Sequence, residues 1–373
     1  MVHRPAACPN GHDLSTEAGA TKEARQVRSI EVAVTITEHQ VAEVTCVCCG
    51  EIARGQFPAG VPARVAWSAP TKATVLLYTQ KAFLPTQAAA DLLSATGVDI
   101  SKGCLDQWCR GLAHSLADRF MPRLRSALLA QAWLGFDETP VNVGGKDLYV
   151  HVASNGNLTH YHLGSRSLDS AKAGGVVGTF TGTALTDCYG AYFSEAAGID
   201  THQLCCARLL RGLRCADESF RPEDPRAAHP QPWAGGLVSV LQDAVAGKLT
   251  GDQAHAAYRC QLEVAFSGLG PPGKNTYQRE RDAWNLAVRL RDYEDSVLRF
   301  LGKDNPPTNN ASGQAVKPHK VRQRRSGCFR SAEDAREYLV VQSYLRSAVA
   351  CGIEPLDALT SALAGNPWLP EVG

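Results

Sequence analysis

A mixed α/β fold is what this sequence predicts, and three observations carry the prediction. From residue 131 the apolar residues take the two-residue period of strands, in AWLGFDETPVNV, LYVHVAS and LTHYHLG. The turn pairs Gly144-Gly145 and Asn155-Gly156 separate these runs closely enough for a three-strand meander. On either side of it, apolar residues recur with the spacing of amphipathic helices.

The first sixty-odd residues read as a small β unit. Ile30, Val32, Val34 and Ile36 alternate as in a strand, a turn is expected near Glu38-His39-Gln40, and Val41 and Val44 mark the return. Two metal-like knuckles flank this hairpin, Cys8 and His12 before it and CVCCG, with Cys46, Cys48 and Cys49, after it. A thiolate turn ending in glycine lets two ligands converge on a tetrahedral Zn²⁺, so Cys8, His12, Cys46 and Cys49 are the expected zinc ligands. Gly11 stands where a standard first knuckle has its second cysteine, which leaves two readings: His12 substitutes, or the ribbon has lost its metal.

Residues 67–128 read as helical, from Val75, Leu76, Tyr78 and Leu84 through a Pro85 start signal to Leu105, Trp108, Leu112 and Leu116. Within them AAADLLSATGVDISKGCLDQW has the pattern of a helix-turn-helix. Ala89, Ala90, Leu92 and Leu93 pack the first helix, Gly97 turns, Val98 and Ile100 lock the pair, and Ser101 caps a second helix that exposes Lys102 to DNA. A plain helical packing hairpin would use the same residues.

After the meander a helix is expected near Ser167–Phe180, followed by the strand-like TALTDCYGAY. Meander, helix and strand in this order open a ribonuclease-H-like fold, and would set Asp137 on the first strand beside Asp187 at the end of the fourth. A helical insertion follows over 216–298, with apolar runs through Leu237, Val240 and Leu241 and through Trp284, Leu286, Leu290 and Leu298. The expected division is therefore 1–66, 67–128, 129–215, 216–298 and 299–373.

The segment PPTNNASGQAVKPHKVRQRRSGCFR, 306–330, holds six Lys and Arg and no carboxylate. Such a run suits DNA phosphates, and Lys317, Lys320, Arg322, Arg324 and Arg325 are the candidate contacts. The closing stretch SAEDAREYLVVQSYLRSAVACGIEPLDALTSAL is helical packing. A formal net charge of +1 means that any nucleic-acid binding must come from such local patches and not from a global field. Thirteen cysteines, an odd number behind no secretory signal, argue for metal ligands and buried thiols over a disulfide framework. With no membrane-length apolar stretch, the expected location is cytoplasmic.

Taken in order, CPNGHDL, CVCCG, ISKGCLDQW, GFDETPV, TDCYGAY, LCCARLLRGL, NNASGQAVKPHK and RRSGCFRS resemble the insertion sequence 66 family of bacterial transposases over nearly the whole chain. The resemblance implies a zinc-binding N-terminus, a helical DNA-binding region and a ribonuclease-H-like domain whose two Asp and one Glu hold Mg²⁺ or Mn²⁺ for strand transfer. Asp137 and Asp187 match the two aspartates. It also implies DNA partners, the element's terminal inverted repeats and target DNA, with a homo-oligomer and accessory proteins of the element as further candidates.

Four positions depart from the family pattern. Thr308, Gly313 and Gln314 stand where the family has Asp, the catalytic Glu and Arg around its Asn-Asn motif, and Arg208 stands where His is usual. The sequence therefore reads as a DNA-binding transposase-family protein with impaired catalysis. One rival is an enzyme that recruits Glu333 or Glu337 as its third acid, and the other is a non-enzymatic regulator or decoy of transposition.

Overall fold

The computed structural model describes residues 3–20, 23–29, 33–58, 60–61, 63–219, 232–274 and 276–372. At its centre is a five-stranded mixed sheet with helices on both faces. The meander forms as β3 (Trp133–Val143), β4 (Lys146–Ser154) and β5 (Thr159–Gly164), paired antiparallel. It is extended on the other edge of β3 by β6 (Thr183–Thr186) and β7 (His202–Leu204), both parallel, giving the order β5-β4-β3-β6-β7. Strand alternation sends Val141, Val150, Val152, Tyr161 and Leu163 to one face, where α10 (Asn310–Ser326) and α11 (Ala332–Ala350) cover them. Phe136 points to the opposite face and meets Phe180 and Tyr192.

Ahead of the sheet, α1 (Ala69–Gln80), α2 (Thr86–Ala95) and α3 (Lys102–Leu129) pack on one another. Gly97, at φ +81°, makes the turn between α2 and α3, and the Ser101 hydroxyl accepts the Cys104 N–H to cap α3. Ala89, Ala90, Leu93 and Ile100 are buried there, whereas Leu92, expected to pack, is exposed. Beyond β7, α5 (Cys206–Ser219), α6 (Pro232–Val245), α7 (Gly251–Gly268), α8 (Gln278–Asp292) and α9 (Glu294–Val297) share a core of their own around Trp233, Tyr258 and Leu290. The chain closes with α12 (Pro355–Leu363) against α1.

Two local expectations need correction. The expected N-terminal hairpin is displaced: Ile30 and Val32 lie outside the described residues, Val34 and Ile36 are exposed and in no strand, and the strands observed are β1 (Glu43–Thr45) and β2 (Ile52–Arg54). Their turn is CVCCG itself, closed by the Cys46 N–H to Glu51 C=O bond at 2.7 Å. The helix expected over Ser167–Phe180 stops as α4 (Leu168–Ala173), because Gly175 takes φ +76°, which terminates a helix at low cost only for glycine. No helix among the described residues is long and apolar enough to cross a membrane.

Candidate active site

Asp137 sits on β3, the central strand, and faces the helix α10. The last registered pair between β3 and β6 is Gly135 with Leu185, so Asp137, two residues further along β3, and Asp187, just past the end of β6, are each two residues beyond that pair. The main chain fixes both carboxylates: Asp137 Oδ1 accepts the Glu138 N–H at 2.9 Å and Asp187 Oδ1 accepts the Tyr189 N–H at 3.0 Å. The start of α10 is clamped onto β3 just before Asp137. Buried Asn309 donates from Nδ2 to the Phe136 carbonyl at 2.7 Å, and its own N–H donates to Cys205 Sγ at 3.1 Å. Gly135 is what permits this approach, since a Cβ there would stand 2.1 Å from Asn309 Oδ1. One helical turn later comes Gly313, whose Cβ, were it present, would lie 3.9 Å from Asp137 Oδ2, with no other heavy atom within 4 Å apart from its chain neighbours and the backbone of its own helix. Cys205 and Cys206 are both buried, as small packing residues of this junction.

The electrostatics follow from this crowding. Burial raises the Asp137 carboxyl above its ordinary range, the Glu138 N–H opposes that, and the neighbouring charge of Asp187 adds to it, while Lys320 and Arg208 pull downward. Arg208 is thus within electrostatic reach of Asp137. Glu138 is raised too, first by burial and next by Asp187. Its Oε1 lies 3.3 Å from Arg166 Nη2, and the Arg166 guanidinium lies 4.7 Å from the Tyr189 ring and 5.5 Å from that of Tyr149. Neither Glu138 nor Arg166 stood out as a site residue in the sequence: Glu138 had a signal, adjacency to Asp137 in GFDETPV, whereas Arg166 had none.

The basic segment is helical. In α10 the residues Ser312, Ala315, Val316 and His319 face the sheet, and Lys317, Lys320 and Arg324 are exposed. Arg325 donates to the Ala82 carbonyl at 3.0 Å. Arg322 is turned inward, 3.5 Å from the centre of the Phe329 ring and 5.0 Å from that of Tyr338, and burial lowers its pKa. Lys102, at the start of α3, pairs with Asp106 one turn on. Glu333 and Glu337 lie on α11, where Glu337 Oε1 is 3.4 Å from Arg110 and 3.3 Å from His114 of α3. These acids meet α3, while Asp137 faces α10.

At the N-terminus each knuckle is formed within itself. Cys8 Sγ is 3.3 Å from His12 Nδ1, and the Cys46 thiol pKa is lowered by the N–H groups of Cys48 and then Cys49. The two turns are not drawn together: no three of Cys8, His12, Cys46 and Cys49 have ligand atoms mutually within 4.8 Å.

The sequence model of the Transposase IS66 family matches residues 64–337, well over half of the chain. The chain belongs to the IS66 transposase family. The matched span begins just before α1 and ends within α11, so it contains Asp137, Asp187, Arg208 and Gly313 and leaves the cysteine knuckles outside. No curated protein resembles the chain closely enough to count as a match. Transposases act on DNA, and the family typically uses divalent metal ions.

Proposed function

We propose that this transposase-family protein binds DNA through its helical region and α10, and that its ribonuclease-H-like metal centre is crippled by the absence of a carboxylate at Gly313. The single observation that carries this reading is the 3.9 Å between the Cβ position of Gly313 and Asp137 Oδ2. The place where the family pattern puts its Glu is the place beside Asp137 where a third carboxylate would close the site. The strand order, with Asp137 on β3 and Asp187 just past the end of the neighbouring β6, supports the ribonuclease-H-like assignment.

The donor set suits a hard divalent cation in kind, since Asp137 and Asp187 offer carboxylate oxygens, and falls one carboxylate short in number. When bound, such ions supply a more nucleophilic attacking oxygen and neutralise the leaving one. The residues of the chain do the rest. The N–H groups of Glu138 and Tyr189 hold one oxygen of each aspartate and so leave Asp137 Oδ2 turned toward α10. Lys320 and Arg208 bring positive charge to the side where a phosphodiester would lie. With two acids in place of three, both affinity and alignment suffer, and misalignment costs rate steeply.

Gly313 is helical and needs no positive φ, so a side chain there meets no backbone obstacle. The test is Mg²⁺- or Mn²⁺-dependent nicking of labelled element-end DNA by the natural chain, by Gly313→Glu and by Gly313→Glu with Asp187→Asn. Little cleavage, partial restoration and renewed loss are expected in that order. Robust cleavage by the natural chain that vanishes on Asp187→Asn would show the site to be complete without a Glu at 313.

For the N-terminus we propose one Zn²⁺ held by Cys8, His12, Cys46 and Cys49, supported by the two formed turns. Closing the site requires the turns to approach one another. Elemental analysis of the full chain should lose about one zinc per chain on Cys49→Ser, and an unchanged zinc content would refute the assignment.

A further inference from the structure

A second cluster of metal-ligating side chains lies where α3 crosses α11. His114 comes from the middle of α3, and Glu333 and Glu337 stand four residues apart, hence on one face, at the start of α11. One ligand atom from each lies within 4.8 Å of the other two. Glu337 Oε1 is buried and accepts no hydrogen bond, although His114 Nε2 is only 3.3 Å away and Arg110 Nε 3.4 Å. Arg110 gives that oxygen an ion pair without hydrogen-bond geometry, and a largely desolvated carboxylate gains from a closer cation. We propose that His114, Glu333 and Glu337 form a structural site for a divalent transition-metal ion, Zn²⁺ being the best fit.

The donor chemistry selects the ion. One imidazole nitrogen and two carboxylate oxygens suit Zn²⁺, whereas Mg²⁺ prefers an all-oxygen octahedron. Two carboxylates balance the charge of the ion. His114 is 62% exposed and Arg110 56%, so the imidazole can turn into the site and the guanidinium can swing out to water. The ion would tie α3, the longer helix of the helix-turn-helix pattern, to α11 of the sheet domain, beside a cleft of about 440 Å³ bordered by Lys102, Arg110, Arg322 and Arg330. This site shares no residue with the Asp137 centre or with the cysteine knuckles.

The experiment is calorimetric titration of the chelator-stripped full chain with Zn²⁺, together with the thermal midpoint at saturating metal. Glu333→Gln removes one donor and leaves the contacts of Glu337 with Arg110 and His114 in place, and His114→Ala removes the nitrogen. Each is expected to weaken one and the same binding event at least about tenfold, since even outer-shell losses cost that much, and to abolish its contribution to the metal-dependent rise in midpoint. Asp187→Asn and Cys49→Ser should leave that event intact. Isotherms unchanged in both Glu333→Gln and His114→Ala would overturn the proposal and leave an ion-pair cluster only, as would zinc binding abolished entirely by Cys49→Ser.

Discussion

Asp137 sits in a half-buried place, and the consequence for its titration can be measured without any catalysis. Burial and the nearby Asp187 raise its pKa in the fold. A carboxyl raised on folding contributes stability that is full below its unfolded pKa, about 3.9, and lost as pH rises through the folded value. Asp137→Asn keeps an oxygen to accept the Glu138 N–H and carries no charge. In chelator at neutral pH it should therefore melt higher than the natural chain, with the difference fading as the solution is acidified below the unfolded value. A variant that melts lower at neutral pH would mean that the carboxylate is stabilising there. Both aspartates were legible in the sequence because each ends or centres a recognisable strand. Asn309 was legible only as half of an Asn-Asn motif; that it clamps α10 to β3 through the carbonyl next to Asp137 needed the fold, since the two residues are 173 positions apart.

At the scale of the element, α10 shows how a helical period sorts one basic run into different tasks. Lys317, Lys320 and Arg324 fall on one face at spacings of three and four, opposite the face that carries Ala315, Val316 and His319 onto the sheet. For Lys317→Gln, Lys320→Gln and Arg324→Gln the expected outcome is weaker DNA binding on every sequence, with the salt slope shallower by about 1 per substitution. Loss confined to one sequence would instead assign base reading to the residue concerned. Arg322 belongs to the other face, and Arg322→Ala should cost about 1 kcal/mol of stability through lost stacking on Phe329 and Tyr338. The composition of the segment announced phosphate binding for all these residues alike. Which of them reach water was hidden, because an unpatterned cationic run does not reveal a helical face until the apolar partners across the sheet are known.

For the whole molecule, the buried histidines set the acid limit. Burial lowers His160 and His319 each to about 3, so both are neutral in the fold well below the pH at which an unfolded histidine gains its proton. A group whose folded pKa is depressed gives stability that is present above its unfolded pKa, about 6.5, and lost as pH falls toward the folded one. Between about pH 6.5 and pH 3 each should lower unfolding stability by about 1.4 kcal/mol per pH unit, and urea midpoints across that range, with His319→Phe removing one of the two contributions, would measure it. A slope unchanged in that variant would show that His319 is protonated in the fold. By itself the sequence determined the α/β class, the three strands of the meander, the helix-turn-helix pattern and the family, because periodicity, turn glycines and ordered motifs are local and survive being read one segment at a time. Tertiary structure alone decided that Gly313 faces Asp137, that Arg322 turns inward, and that Glu333 and Glu337 meet His114 instead of the aspartates. Those pairings join residues far apart in the chain, and only the packing of α10 and α11 on the sheet and of α11 on α3 determines which side chains meet.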